Sequence, residues 1–535
     1  MKTMISSIIL ASCLALPLAS CSDSDVAPEQ KDWSTTTYFY SADAAMQDTY
    51  YKPTVGYVGD PMPFFDPVAG DFKVLYLQDF RPNPEGTYHP IWGVSTKDAA
   101  HYTSLGELVS CGTKKSQDAA IGTGSTIYDE ASKLYYTFYT GNKYLPTGDE
   151  SAQAVMVATS PDFKTWTKDR TFLLKGQDFG YDKNDFRDPF VFKGDDGKFH
   201  MLISTKKGGK GSLAEFVSDD LKNWTDNGVF MTMMWDRFYE CPDLFKMGDY
   251  WYLVYSEIHH AVRRVQYFKG RTLDELKACT ANDVARWPDA HEGFLDSRGL
   301  YAGKTASDGT NRYLWGWCPT RSGKDNTAVG ASPAEPEWAG NLVCYKLIQH
   351  EDGTLTLGQI DAVSEKYNQD VAVEVKESQN MTEADGTYTL AGSVEQPDAY
   401  MLMGRLGSHN KISFTVTTSN EWDKFGISMV RGSDSKKYYT MVVNPENENN
   451  RKVNFEEQGV EGKGFIAGID GYVFARPADN VYNVTIYTDN SICVMYINDV
   501  CSYTNRIYGI QKNCWSINSY NGANVKISNL KISQY

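Results

Sequence analysis

Short apolar or alternating runs recur along the chain from Tyr38 onward. They are rich in aromatic and β-branched residues and are bounded by Gly, Asp and Asn, a pattern typical of β-strands. Examples are Lys73-Val-Leu-Tyr-Leu, Leu134-Tyr-Tyr-Thr-Phe-Tyr, Ala154-Val-Met-Val-Ala, Trp251-Tyr-Leu-Val-Tyr and Tyr313-Leu-Trp-Gly-Trp. No convincing long amphipathic helical pattern accompanies them. The hydrophobic pattern therefore predicts an all-β protein.

Two internal repeats turn these strands into an architecture. A [Ser/Thr]-x-Asp-x-x-x-[Tyr/Trp] element occurs at Thr96/Asp98/Tyr102, Ser160/Asp162/Trp166 and Ser218/Asp220/Trp224. A Pro-x-x-Phe element occurs at Pro61/Phe64, Pro189/Phe192 and Pro242/Phe245. In the first element we expect Asp to order a turn and the aromatic residue to pack into the adjoining blade. A spacing of about 60 residues is typical of radial sheets, so residues 38–350 are predicted to form a five-bladed β-propeller.

Three carboxylates occupy related positions in this repeat. Asp60 and Asp188 directly precede the repeated proline, and Glu240 lies two residues before it. One Asp-Pro pair is a common turn starter, so the argument depends on three sites in register with the blades. Because each blade turns its innermost strand toward a central channel, we expect the three acids to meet at one end of it.

Clustered carboxyl groups suit the cleavage of a glycosidic bond. One carboxylate stabilises or traps the positively charged sugar, and a second carboxyl group protonates the leaving oxygen. A metal site is the competing use of such a cluster. EF-hand and His-rich spacings are missing from the sequence, so we expect neither a metal nor another cofactor.

Three blocks around these acids resemble the signatures of glycoside hydrolase family 32, the invertases, levanases and inulinases. They are Gly59-Asp60-Pro61, Phe186-Arg187-Asp188-Pro189 and Glu240-Cys241-Pro242-Asp243-Leu244-Phe245. The resemblance implies that Asp60 is the nucleophile and Glu240 the acid and base. It also implies that Asp188, with Arg187, holds the fructose hydroxyls and favours the charged transition state. Further substrate-pocket positions implied by the family are Gln78, Thr123, Cys241 and Trp317.

The sequence departs from the family near the nucleophile. The Asn that usually precedes the nucleophile is Gly59, and an aromatic-Ser pair that lines the pocket is Gly122-Thr123. Cys493 replaces an acidic residue of the C-terminal block. The acids are retained while the first sugar subsite is altered, which leaves the linkage and exo- or endo-action open.

A change of rhythm marks a second domain. Residues 351–369 read as a linker, and from Asp370 to Tyr535 strands alternate with period two between Asn, Gly and Asp turns, which predicts a β-sandwich. The family resemblance implies a jelly-roll-like module. We expect a structural role for it, with glycan binding through exposed Tyr and Trp as an alternative. Cys493 and Cys501 could face each other across a hairpin.

The amino terminus predicts export. A basic start, a short apolar run and Leu18-Ala19-Ser20-Cys21 resemble a bacterial lipoprotein signal, which implies cleavage after residue 20 and lipidation of Cys21. Residues 21–37 read as a tether, and the lipid would anchor the protein in the outer membrane, on either face. The formal net charge of −16 argues against nucleic acid and anionic membrane surfaces as partners.

The predicted function is therefore a retaining hydrolase of β-fructosidic bonds, with levan- or inulin-type polymers favoured over sucrose. Two alternatives stay open. Related five-bladed propellers cleave arabinans and xylans with a similar set of acids. A non-catalytic glycan-binding protein would keep the propeller but not need all three acids.

Overall fold

The computed structural model describes residues 49–80, 89–232, 238–257, 264–279, 293–321, 336–431, 438–445, 452–458, 472–474, 476–511 and 513–535. The predicted signal peptide, the lipidation site Cys21 and the tether lie outside the described residues. Among the described residues, no helix has the length and apolar character needed to cross a membrane.

Antiparallel sheets make up the first part of the chain. Blade one contains β1 (Tyr57–Asp66), β2 (Asp71–Asp79), β3 (Ile91–Thr96) and β4 (Thr103–Val109). Blade two contains β5 (Ala120–Asp129), β6 (Leu134–Asn142), β7 (Gln153–Ser160) and β8 (Thr167–Lys168). Blade three contains β9 (Phe186–Lys193), β10 (Phe199–Lys207), β11 (Lys210–Ser218) and β12 (Thr225–Thr232). Blade four contains β13 (Glu240–Met247), β14 (Tyr250–Glu257) and β15 (Arg264–Gly270), and blade five contains β16 (Tyr301–Ser307), β17 (Arg312–Arg321), β18 (Pro336–Gln349) and β19 (Leu355–Gly358).

The innermost strands close into a ring. Each of β1, β5, β9, β13 and β16 contacts the next in that order, and β16 returns to β1. β18 also pairs with β1 at Gly340 and Val58, which joins the last blade to the first. The predicted five-bladed β-propeller is confirmed.

The repeated Asp residues order the turns between blade strands. Oδ1 of Asp98, Asp162 and Asp220 each accepts hydrogen bonds from the backbone N–H groups two and three residues later. Two of the aromatic residues in these repeats contact another blade, and the hydroxyl of Tyr102 in blade one accepts a hydrogen bond from the indole of Trp315 in blade five. Trp224 of blade three lies edge-on to Phe138 of blade two, with ring centroids 5.5 Å apart. These turns therefore join blades as well as strands.

The second part of the chain forms two facing sheets. Its strands are β20 (Gln369–Val371), β21 (Val375–Gln379), β22 (Met381–Ala384), β23 (Thr387–Ala391), β24 (Ala399–Arg405), β25 (His409–Thr418), β26 (Phe425–Arg431), β27 (Tyr438–Asn444), β28 (Lys452–Gln458), β29 (Tyr472–Val473), β30 (Val481–Asp489), β31 (Ile492–Ile497), β32 (Cys501–Arg506), β33 (Cys514–Ser519) and β34 (Asn524–Gln534). One sheet has the order β22-β23-β34-β25-β30-β31-β32 with β20 beside β34, and the other has the order β21-β24-β33-β26-β27-β28-β29. Burial alternates residue by residue along β25, as expected for a strand with one face in the core. The predicted β-sandwich is confirmed.

Helices are short. They are α1 (Leu273–Ala278), α2 (Asp361–Lys366) and a 3₁₀ turn at Gly176–Phe179. The hydroxyl of Thr272 caps α1 by accepting a hydrogen bond from the N–H of Glu275. The stretch predicted as a linker contains β19, which pairs with β18, so blade five extends past residue 350.

Buried polar groups join the two domains. Asp296 of the propeller accepts hydrogen bonds from the N–H and the hydroxyl of Thr504, at 2.8 and 2.7 Å. Asp489 of the sandwich accepts from the N–H of Tyr50 at 3.0 Å. Arg506 of the sandwich donates to carbonyl oxygens of β17. These side chains are buried and hydrogen-bonded, as polar groups inside a protein usually are, so specific polar contacts fix the two domains together.

The pairing suggested for Cys493 and Cys501 is wrong. In the hairpin of β31 and β32, Cys493 lies opposite Asn505 and Cys501 lies opposite Ile497. All eight cysteines within the described part of the chain are free thiols. The hairpin register, which the sequence does not fix, separates the two sulfurs.

Candidate active site

A left-handed residue near the start of each of four inner strands shapes one end of the channel. Asp60, Asp188, Cys241 and Ala302 have φ values of 26°, 58°, 52° and 51°. Strand register shifts at or beside each of them, as in a β-bulge. Residues in this conformation are uncommon unless glycine, and such strain clusters at functional sites. Each bulge changes the direction in which the side chains at this end of the strand point, compared with a regular strand.

The bulges also explain why Glu240 is displaced by one residue from the other two acids. Cys241, not Glu240, occupies the position equivalent to Asp60 and Asp188. Glu240 is therefore equivalent to Arg187 and, in blade five, to Tyr301. Polar contacts link the three acids and these neighbours in one connected cluster.

Asp60 is held by two neutral donors. The hydroxyl of Thr123 donates to Oδ2 at 2.8 Å, and the indole nitrogen of Trp317 donates to Oδ1 at 2.9 Å. Burial raises the pKa of Asp60 above its usual value, and the nearby Glu240 adds to the rise, whereas the two hydrogen bonds lower it. The two donors thus favour the ionised form against burial.

Glu240 has a different environment, with one charged and one neutral donor. Nη2 of Arg187 lies 3.0 Å from Oε1, and the hydroxyl of Tyr301 donates to Oε2. Arg187 is itself fixed, because Nη1 donates to Asp185 at 2.7 Å and its guanidinium lies 3.9 Å from the ring centre of Phe238. The Glu240 carboxyl group is therefore locked in place from both sides.

Asp188 is the most deeply buried of the three acids. It is 4 % exposed, and its Oδ2 accepts from the N–H of Cys241 at 2.9 Å. Its own N–H donates to the hydroxyl of Thr140 at 2.9 Å. Burial raises the pKa of Asp188 to about 6, helped by Glu240 and Asp60 and opposed by Arg187.

The remaining predicted pocket residues lie around this cluster. Thr123 and Trp317 contact Asp60, as described. The thiol of Cys241 is buried 3.9 Å from the Thr123 hydroxyl, and burial raises its pKa well above the usual value, so it stays protonated. Gln78 is fully buried, and its Nε2 donates to the carbonyl of Val55 at 2.5 Å. Substrate contact by Gln78 stays a prediction.

Gly59 makes room for an aromatic ring beside Asp60. A Cβ atom at Gly59 would lie 2.4 Å from the ring of Trp338, closer than real contacts allow. Trp338 is half-buried, and its ring lies 6.3 Å from that of Trp317. On its other side His89 lies 4.5 Å away, centroid to centroid. The ring of Trp338, from β18, thus occupies the space that a side chain at position 59 would need.

Sequence reasoning missed Tyr301 and Trp338. The repeated proline marks the inner strands of blades one, three and four, whereas the inner strand of blade five has Gly303 at that position. Aligning that strand by its bulge position would have found Tyr301. Trp338 lies on the outer strand that returns to blade one, and no repeat indicates it.

Two family profiles match the chain. "Glycosyl hydrolases family 32 N-terminal domain" matches residues 50–360, and "GH32, BT1760-like, C-terminal domain" matches residues 353–532. Among curated proteins, beta-fructofuranosidase, insoluble isoenzyme CWINV2, of Arabidopsis thaliana is 26% identical over 320 residues, covering 54% of this chain and 51% of that protein. Sucrose-6-phosphate hydrolase of Vibrio alginolyticus is 26% identical over 240 residues, covering 42% of this chain and 45% of that protein. The matches span about half the length of these relatives.

Solved structures agree with the fold over nearly the whole chain. Fructan 1-exohydrolase IIa of Cichorium intybus superposes with a TM-score of 0.69 at 16% identity, covering 92% of this chain and 97% of that one. Sucrose-6-phosphate hydrolase of Lactobacillus gasseri superposes with a TM-score of 0.66 at 18% identity, covering 94% of each chain. At these identities the structures support the propeller-sandwich architecture alone. On the strength of its matched profiles, the chain belongs to glycoside hydrolase family 32.

Proposed function

We propose that this protein is a retaining glycoside hydrolase that cleaves β-fructosidic bonds in fructans of the levan or inulin type or in fructo-oligosaccharides. The observation that carries the proposal is the pair of contrasting carboxyl environments at one end of the channel. Asp60 accepts two neutral hydrogen bonds that favour its ionised form. Glu240 lies between Arg187 and Tyr301 on the neighbouring strands. Two carboxyl groups with distinct surroundings are what acid and nucleophile roles require.

In the first step, Asp60 attacks the anomeric carbon of the fructosyl unit. The bond from that carbon to the leaving oxygen breaks as the new bond to the carboxylate forms, and Glu240 gives its proton to the leaving oxygen. In the second step, a water molecule attacks the same carbon, Glu240 takes a proton from the water, and the bond to Asp60 breaks. This retaining route requires the two carboxyl groups to lie about 5–5.5 Å apart.

Asp188 supports the charge that develops on the sugar. Its carboxyl group is fixed by the N–H of Cys241, and Arg187 precedes it on the same strand. We assign the pair Arg187 and Asp188 to the ring hydroxyls of the fructosyl unit. Gly59 directly precedes Asp60 and lies against the ring of Trp338, which supports an aromatic wall for this subsite where the family pattern has an Asn.

Fructan polymers fit the proposed location better than sucrose does. The predicted lipobox at Leu18–Cys21 would anchor the protein in the outer membrane, where it meets polymers. Metabolic labelling with palmitate tests this part: the wild type should incorporate label and a Cys21→Ala variant should not. Label that persists in the variant would contradict lipidation at Cys21.

Sugar release tests the activity. Purified protein without the predicted signal and lipid cysteine, residues 22–535, is incubated with levan, inulin, sucrose and arabinan. Asp60→Asn and Glu240→Gln are the test variants, and Glu130→Gln, on an exposed turn, is the matched control. Fructose or fructo-oligosaccharides from wild type and control, lost in both test variants, would establish the reaction and the linkage.

Other outcomes point to the alternatives. Pentose release from arabinan would shift the substrate class. Binding of a fructan that both test variants retain, without release by the wild type, would indicate a glycan-binding protein.

A further inference from the structure

A second layer of side chains lies beneath the three acids in the channel. Two residues after each left-handed position, the inner strands carry Met62, Phe190, Asp243 and Lys304. Contacts join these residues to one another and to β5, the inner strand between β1 and β9. The N–H of Gly124 donates to the sulfur of Met62 at 3.1 Å, and the ammonium of Lys304 lies 5.5 Å from the ring centre of Phe190. We call this layer, made of Met62, Phe190, Asp243 and Lys304, the floor of the site.

Lys304 brings a positive charge into this floor. The residue is 2 % exposed, and its Nζ donates to the carbonyl oxygen of Gly124 at 2.7 Å. Burial lowers the pKa of Lys304, whereas Cys241, Asp243, Asp188 and Asp60 act in the opposite direction. A buried ammonium ion is costly unless negative charge compensates it. The carboxylates around Lys304 supply that compensation, and the ammonium in turn compensates them.

The hydrogen bond from Lys304 also links it to Asp60 through the backbone of Gly124 and Thr123. Gly124 directly follows Thr123, whose hydroxyl donates to Asp60. Gly124 lies directly against the backbone of β6, since a Cβ atom there would lie 1.8 Å from the carbonyl oxygen of Phe138, so only glycine fits at this position. Lys304 thus holds the backbone that presents the Thr123 hydroxyl, besides contributing its charge.

We propose that Lys304 is a positioning residue that keeps the carboxylate of Asp60 ionised and its Thr123 donor in place. The proposal rests on the proposed function insofar as Asp60 is the nucleophile. The catalytic steps proposed for Asp60, Asp188 and Glu240 give no part to Lys304. The ammonium group of Lys304 acts as a fixed positive charge in the channel and takes no part in making or breaking bonds.

Several other groups act on Asp60 from the surrounding strands. Glu240 and Cys241 face it from β13, Asp188 from β9, Tyr301 from β16, Thr123 from β5 and Trp317 from β17, and Arg187 adjoins Asp188 on β9. Asp243 lies below, on β13, and accepts from the N–H of Thr305 at 2.6 Å. Among these neighbours the acids outnumber the cations. Loss of one cation therefore makes ionisation of Asp60 harder.

The experiment compares Lys304→Met with Arg312→Met, which removes the same charge from the outer side of Asp243. Arg312 donates to the hydroxyl of Thr305 at 2.7 Å and contacts none of the three acids within the described structure. Two titrations are measured. One is the pH dependence of tryptophan fluorescence that disappears in Asp60→Asn, because Trp317 donates to Asp60. The other is the acid limb of kcat/KM on the fructan that the wild type cleaves.

We expect Lys304→Met to move both midpoints upward by about one pH unit, the size that a unit charge several ångströms away produces at an intermediate effective dielectric constant. Arg312→Met should leave both midpoints unchanged. Activity of Lys304→Met should recover partly as the pH rises. An unchanged fluorescence midpoint in Lys304→Met, or an equal shift in Arg312→Met, would overturn the proposal.

Lys304→Gln is the second variant, since its polar amide is easier to accommodate in the floor. Failure of both neutral variants to fold would assign Lys304 to stability alone and would also overturn the proposal. If the wild type released no sugar from any fructan, the proposed function would fail. The fluorescence titration would still decide whether Lys304 controls Asp60.

Discussion

The indole N–H of Trp317 donates to Oδ1 of Asp60 over 2.9 Å, from β17 to β1. Trp317 is fully buried, so its aromatic ring forms part of the structure around the carboxylate and offers the donor in a fixed direction. A hydrogen bond to a charged acceptor in a dry site is worth more than one in water. The relationship makes the ionisation of Asp60 depend on one indole group.

We predict that Trp317→Phe lowers kcat/KM roughly tenfold, as expected for the loss of one hydrogen bond to a charged group. The acid limb of the pH profile should move upward, because the indole N–H lowers the pKa of Asp60. Trp315→Phe is the matched control. Trp315 lies on the same strand but donates to the hydroxyl of Tyr102, away from the acids. A fall in activity without movement of the acid limb would contradict the assigned role.

We predict that Asp188→Asn stabilises the protein at neutral pH. Burial raises the pKa of Asp188 from its usual 3.8 to about 6, so the folded state binds the proton more tightly than the unfolded state. Stability is therefore lost as the pH rises from about 4 to about 6. Asn mimics the protonated acid, and the gain at pH 7 should be on the order of 3 kcal/mol. Urea unfolding at about pH 4 should show little difference between variant and wild type.

The opposite effect on stability is expected when Asp220, in an exposed turn, is replaced by Asn. Backbone N–H groups of Asn223 and Lys222 lower the pKa of Asp220 to about 2. Its contribution is present above the unfolded-state pKa and is lost as the pH falls toward 2. Asp220→Asn should therefore destabilise the protein slightly at pH 7 and not at about pH 2. A stabilising effect at pH 7 would show that the amide contacts do not favour the ionised form.

The propeller could be predicted because its turns repeat. Asp98, Asp162 and Asp220 each accept the same pair of backbone N–H groups, so the chemistry that orders each turn is written locally in the sequence. The three acids were found for the same reason. Asp60 and Asp188 occupy bulges that are followed by proline, and Glu240 precedes such a bulge.

Contacts between distant strands could not be predicted. Tyr301 reaches Glu240, and Trp338 covers Gly59, only after the ring of blades closes. Lys304 reads in the sequence as an ordinary strand residue, and only the inner ring shows that its ammonium is buried. Likewise the register of the β31–β32 hairpin, which separates Cys493 from Cys501, follows from pairing across the whole sheet.

We predict that Gly59→Asn alone abolishes the hydrolytic activity and that the double variant with Trp338→Ala recovers part of it. A side chain at Gly59 would overlap the ring of Trp338, with a Cβ contact of 2.4 Å. Since the ring also packs near Trp317, the overlap should disturb the donor to Asp60. Removing the ring opens the space that an Asn needs. Steady-state kinetics of both single variants and the double variant form a double-mutant cycle.

Favourable coupling of more than about 1 kcal/mol is expected in that cycle, because residues in direct contact couple by this amount. Gly59→Ala alone separates size from polarity, since its Cβ atom meets the same ring. Additive effects of Gly59→Asn and Trp338→Ala would contradict the packing relationship. A change in product length on levan in Trp338→Ala would further identify the ring as part of the sugar-binding wall.

The last prediction concerns Arg506, a sandwich residue whose guanidinium reaches into the propeller. Its guanidinium donates to the carbonyl oxygens of Cys318 and Pro319 at 2.8 and 3.0 Å and to the side chain of Asn341 at 2.6 Å. Arg506→Met would remove the hydrogen bonds that these buried acceptors receive from the guanidinium, and each buried polar group left unsatisfied typically costs about 1–3 kcal/mol. We expect a lower unfolding temperature in scanning calorimetry.

Because Cys318 follows Trp317, activity should also fall at temperatures where the variant remains folded. Lys411→Met, on β25 of the sandwich, is the charge-matched control and should leave activity unchanged. Full activity of Arg506→Met below its unfolding transition would show that the sandwich stabilises the propeller without adjusting the active site.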